Sequence, residues 1–192
     1  MSSGTSTKSA GTTAADVCRN FELSQEAQKL LQPNLAPRPF LDILLAHQLY
    51  PDAAKLMAHA LPRREAIWWG CLCAQKAYGS APPPKQGTAL QAAEKWVVQP
   101  TDEHRRATFQ VAEAAEFKNP AGLLGMAVFF STGSLAPPGV AEVAADPHLC
   151  PNSVANAVIL AAVASGPDKA AERYAQFFAL GFDVANGKNR WK

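Results

Sequence analysis

The sequence predicts an all-α fold: a compact array of about eight or nine mostly antiparallel helices, loosely helical-repeat-like, preceded by a disordered N-terminal tail. Three observations predict it. Apolar residues recur at a spacing of three and four along most of the chain. Alanine is abundant while β-branched residues are scarce. Caps or prolines bound nearly every apolar stripe. No repeat period is fixed, so a true solenoid is not expected.

The elements follow in order. Residues 1–20 are assigned to a flexible tail, polar and low in complexity, and residues 21–192 to one helical domain. Ser24 caps a short helix over about 24–32, closed by Pro33. Pro39 opens a helix whose Phe40, Ile43, Leu44 and His47 share a face. Tyr50-Pro51-Asp52 breaks it, and Ala53, Leu56, Met57 and Ala60 form the stripe of the next. Pro62 suits the first position of a helix that is apolar nearly all round its middle, from Ile67 to Tyr78, so it should be central. Gly79 ends it, and Ser80 to Pro84 make a rigid loop.

Leu90, Ala93, Trp96 and Val97 mark another amphipathic helix, stopped by Pro100. Thr101 caps the next, with Asp102 and Glu103 in the first turn where the helix dipole favours acids. Phe109, Ala112 and Phe117 supply its apolar side. Asn119-Pro120 then serves as N-cap and first residue of an uncharged, buried helix through Phe130. From Ser131 to Pro151 periodicity disappears, and Pro and Gly dominate. A structureless connection of that length is uncommon in a compact domain and is often functional. Two helices complete the chain, one from about Asn152 to Ser165 and one from Pro167 that turns Ala170, Tyr174, Phe177, Phe178 and Gly181 inward.

Composition narrows the function. The net charge of +2 includes no dense basic patch, so nucleic acid is not an expected partner. Residues 1–15 lack the apolar stretch of a signal peptide, and no uninterrupted apolar run suits a membrane span. Arg63-Arg64 before an apolar run imitates a twin-arginine export signal, but Pro62 and Glu65 mark it as a first helical turn. The expected location is cytoplasmic, where Cys18, Cys71, Cys73 and Cys150 remain free thiols.

Candidate chemistry meets a physical objection at each point. Cys71 and Cys73, two apart on a helix, point about 200° from each other and cannot chelate one ion. His47, His59, His104 and His148 contain no pair at the zinc spacing of four. A Cys150–His148 nucleophile pair needs geometry that spacing does not supply. Glu113 and Glu116 read as a solvated face. No phosphate-binding glycine loop or nucleophile elbow occurs. No catalytic residue, metal or cofactor is therefore expected.

Two features point to partner binding. Trp68 and Trp69 are adjacent on one helix and face different directions, so one is packed beneath a loop or exposed as an anchor. The loop around Ser134, Leu135, Pro137, Pro138 and Gly139, reaching to His148, is stiff and apolar, which lowers the ordering cost of binding. The competing reading is a lid that only covers the core.

These residues carry a resemblance. Phe40-Leu41-Asp42, Asp52-Ala53, Ala58-His59-Ala60-Leu61-Pro62, Arg64-Glu65-Ala66-Ile67-Trp68-Trp69-Gly70-Cys71-Leu72-Cys73-Ala74 and Ser134-Leu135-Ala136-Pro137-Pro138-Gly139 resemble an uncharacterised bacterial family of all-helical domains over roughly residues 38–185. The resemblance associates the chain with type VI secretion gene clusters. It implies a non-catalytic, cytoplasmic adaptor that binds a secretion component or its cargo, and it transfers no catalytic residue. The alternatives are a structural subunit of an assembly and an enzyme with an unrecognised site.

Overall fold

A computed structural model describes residues 12–164 and 166–191. Among the described residues the fold is all-α, 67% helical without strands, with ten α-helices. They are α1 (Ala14–Cys18), α2 (Gln25–Leu30), α3 (Pro37–Ala46), α4 (Tyr50–Ala60), α5 (Arg63–Tyr78), α6 (Pro84–Val98), α7 (Asp102–Ala114), α8 (Pro120–Phe129), α9 (Leu149–Val163) and α10 (Ala170–Ala185). A single 3-10 turn, Pro167–Lys169, precedes α10. Among the described residues, no single helix is long and apolar enough to cross a membrane.

The first correction lies at the N-terminal end. Residues 12–20 were expected in the tail, yet Ala14, Val17 and Cys18 are buried in α1. Thr13 Oγ1 accepts from the Asp16 amide at 3.1 Å while the Asp16 carboxylate accepts from the Thr13 amide at 3.0 Å. This reciprocal cap satisfies two amides that the helix start leaves unpaired. The rest of the expected tail, residues 1–11, lies outside the described residues.

Helix boundaries move at four starts that no side chain caps, two of them with proline at the first or second helical position. α3 opens at Pro37, and Tyr50-Pro51 begins α4 instead of breaking the chain. The turn between them holds Gln48 at a φ of 58°. α4 buries Ala54 and Ala58 together with Ala53, Leu56 and Met57, because α9 covers a second side; Ala60, expected inward, is exposed. The following start shifts by one residue, with Pro62 as N-cap of α5. Leu149 and Cys150, assigned to the loop, form the first turn of α9.

α8 and α9 make the most extensive helix contact; α7 and α6 lie on α8, α4 and α5 on α9, and α10 on α5. The charge-free α8 is central as its composition requires. Gly125 is what lets α7 approach it: a Cβ there would stand 2.9 Å from Ala112 Cβ and 3.1 Å from the Thr108 carbonyl oxygen. The start of α8 is set by Asn119, whose Oδ1 accepts from the Gly122 amide at 2.9 Å and whose Nδ2 donates to the Ala115 carbonyl. Asn119→Ala is expected to cost about 1–2 kcal/mol, the upper range for a lost N-cap, because it also frees the end of α7. A denaturant midpoint equal to that of the parent protein would refute this assignment.

Candidate functional site: a clamped loop

The segment between α8 and α9 is held by α7 from below. The side chain of Arg105 is fully buried, and each of its nitrogens has an acceptor. Nε donates to Asp102 Oδ1 at 2.8 Å, Nη1 to the Phe129 carbonyl at 2.7 Å and Nη2 to the Ser134 carbonyl at 2.9 Å. The guanidinium also lies 5.3 Å from the Phe129 ring centroid. Arg106 repeats the fork one residue on: Nε to Asp102 Oδ2 at 2.7 Å, Nη1 to the Ala136 carbonyl at 2.8 Å and Nη2 to the Ser134 carbonyl at 3.1 Å. One carboxylate thus orients two guanidiniums whose fixed planar donors grip loop carbonyls. Hydrogen bonds from Arg106 and Arg105 hold the Asp102 carboxyl below the usual carboxylate range.

Local geometry completes the clamp. Gly133 has a φ of +67°, and a Cβ on it would lie 3.3 Å from Arg105 Nε and from Asp102 Oδ1. Ser134 Oγ accepts from the amides of Ala136 at 3.1 Å and Val143 at 3.0 Å. Leu135 donates its amide to the Val143 carbonyl at 2.8 Å, and an isolated antiparallel bridge joins Ser134 to Ala144. The loop is therefore closed on itself at 134–144, with Pro137, Pro138 and Gly139 exposed at its far end. Val140 and Val143 are 60% and 52% exposed, and Leu149 lies just beyond them at 37%.

The sequence-predicted residues divide accordingly. Ser134 and Leu135 are half-buried and serve the loop's own geometry, while Pro137, Pro138 and Gly139 lie on its surface. The carbonyls of Ser134 and Ala136 face α7 and are unavailable to a partner. The two tryptophans do not back this loop. Trp69 is fully buried and donates Nε1 to the Phe177 carbonyl at 2.7 Å, so it cannot be a surface anchor. Trp68, half-buried, donates to the Asn189 carbonyl at 2.6 Å and meets Trp191 edge-on at 6.4 Å between centroids. The segment lying over it is therefore the one that follows α10. Arg64 stacks on Trp191 at 4.3 Å and donates to the Val97 carbonyl at 2.7 Å, and Arg63 donates to the Ser131 carbonyl at 2.6 Å. Both arginines act structurally in the first turn of α5.

His148 is the N-cap residue of α9, and its ring lies 6.0 Å from that of His59. Cys150 is close by but fully buried, and burial pushes its thiol up to about 12. Burial also raises the thiols of Cys71 and Cys73 well above the ordinary range. Among the described residues, no three or more His, Cys, Asp or Glu side chains gather as a metal would need.

Sequence reasoning missed Asp102, Arg105, Arg106, Val140 and Val143. The spacing of three and four from Asp102 to the two arginines was the available signal. It reads as an exposed helix pair until the loop is seen to lie against it.

No curated protein and no solved structure matches this chain. The model of the family of unknown function DUF6931 matches residues 40–185, a span that contains the clamp, the loop and every helix from α4 to α10, and the chain belongs to that family.

Proposed function

We propose that the protein is a cytoplasmic, non-catalytic adaptor that binds another protein through the 137–149 face of the clamped loop. The observation that carries this reading is the clamp. A lid over the core would point its apolar side chains inward, whereas Val140, Val143 and Leu149 are exposed on a loop whose Ser134 and Ala136 carbonyls accept three hydrogen bonds from Arg105 and Arg106. A stiff apolar loop on a rigid helix loses little conformational entropy on docking. The Cys150–His148 pair supports no enzymatic reading, because a fully buried thiol raised to about 12 is not a nucleophile near neutral pH. The family resemblance directs the search for a partner first to components and cargo of a type VI secretion system.

The test is photo-crosslinking from position 140, with exposed Gln110 on α7 as control. A discrete adduct is expected from 140 and none from 110. Val140→Asp with Val143→Asp should reduce its capture about tenfold or more, as expected for interface-core residues, with the melting temperature unchanged. A self-adduct would identify the chain as a subunit of its own assembly. Undiminished capture by the folded double variant would refute the assignment.

A further inference from the structure

Both ends of the docking loop are tethered at one cleft. Arg63 of α5 donates to the carbonyl of Ser131, where the loop leaves α8. His148, where the loop enters α9, faces His59 near the end of α4 across a cleft of about 180 Å³, also lined by Asn20, Arg63 and Cys150. The His59 ring packs against Phe21 at 4.9 Å between centroids, and its Nε2 meets Asn152 Oδ1 at 3.0 Å. The other two histidines lie elsewhere, His47 after α3 and His104 in α7.

We propose that His59 and His148 form an acid-released latch, which holds the C-terminal end of the loop against α4 and α5 while both rings are neutral and frees it when they are charged. The groups facing His59 carry the argument. α5 contributes the permanent cation Arg63, and α9 with its N-cap contributes His148, Asn152 and the protonated Cys150. The connection between α1 and α2 contributes Asn20 and Phe21, which carry no charge. On α4 itself, Lys55 is turned away to the Glu22 carbonyl. No carboxylate lines the cleft. The nearest along the chain is exposed Asp146, whose Oδ1 accepts the His148 amide at 2.8 Å. Protonation of both rings therefore places three cations around one small cleft that no carboxylate lines.

Burial holds the His59 imidazole below its ordinary proton affinity; the Asn152 hydrogen bond opposes this and the neighbouring His148 adds to it. A histidine whose affinity falls on folding contributes stability that is full above the ordinary histidine range, about pH 6.5, and is lost as pH falls from there through its lowered value in the folded chain. The latch stands on the cleft geometry alone. Its consequence, control over how Val140 and Val143 are presented, rests on the docking function proposed above.

Amide hydrogen exchange on the full chain tests it, with the intrinsic pH dependence divided out. The reporters are the amides of Val143, His148, Leu149 and Asn152, each hydrogen-bonded in the latched state. Between pH 7.5 and 5.5 they should lose about tenfold in protection, while amides within α8 do not change. His148→Gln should abolish the pH response, as should His59→Gln, which keeps a donor for Asn152. Unchanged protection in the parent protein, or an undiminished response in a folded His148→Gln variant, would overturn the proposal. No partner enters the experiment, so its outcome is independent of crosslinking at position 140.

Discussion

Arg105→Ala is expected to lower stability by about 2–4 kcal/mol, from the cavity left by a fully buried side chain and the carbonyls left without donors. The side chain is fully buried, and its loss leaves the carbonyl of Phe129 without its guanidinium donor, and the Ser134 carbonyl and the Asp102 carboxylate with fewer donors. In a domain of this size that corresponds to a fall in melting temperature of roughly 10 °C. The conservative variant separates charge from geometry. Arg105→Lys retains the cation but not the planar fork, so it should recover only part of the loss. Arg106→Ala, on a partly exposed side chain, should cost less than half as much. A denaturation midpoint for Arg105→Ala within experimental error of the parent would show that the clamp does not secure the loop. Acid below the ordinary carboxylate range should reproduce part of the effect. The Asp102 carboxyl is held low on folding, so its contribution is present above that range and is lost only as pH falls through its lowered value. That window lies well below the histidine window, and the two pH responses can be resolved.

The second large effect concerns adjacent residues of opposite character. Trp69→Ala should cost about 3–5 kcal/mol, as for other large aromatic truncations in a core. Trp68→Ala should cost about 1 kcal/mol, in line with partial burial. Trp69 fits against α10 because residue 181 is Gly: a Cβ there would stand 2.9 Å from Trp69 Nε1. The indole N–H also lies 2.7 Å from the Phe177 carbonyl, so Trp69→Phe should lose about 1 kcal/mol for that hydrogen bond before any loss of packing. Comparable costs for Trp68→Ala and Trp69→Ala in urea would contradict the assignment of these faces.

The helical reading succeeded where one chain segment carries its own information. Ser24, Thr101 and Asn119 each cap the helix that follows them, accepting from the amide three residues on, and Gly79 ends α5 at a φ of 64°. These are local contests between a side chain and the first free amides, or between steric crowding and a missing Cβ, and they leave a mark on residue type. α1 carries its signal in the spacing of Thr13 and Asp16, which lies beside a low-complexity stretch whose composition reads as tail. Ala60 is exposed because a stripe records how apolar a face is, not which neighbour covers it; Ala54 and Ala58 are buried instead, on a helix packed against both α3 and α9.

The candidate site divides along the same line. The sequence by itself determined the all-α class, the capped starts of α2, α7 and α8, and the existence of a long, proline-rich interruption between α8 and α9. Each follows from interactions within a few residues, or from the cost of leaving backbone groups unpaired. Only the tertiary structure decided what the interruption rests on. Arg105 reaches the Ser134 carbonyl across 29 positions and His59 reaches Asn152 across 93. Tertiary packing also decided which tryptophan is core, because α10 lies over Trp69 while the residues around Asn189 lie over Trp68. A buried guanidinium and an exposed one have the same spelling in sequence. What distinguishes them is desolvation by distant segments, and that desolvation exists only once the chain has folded.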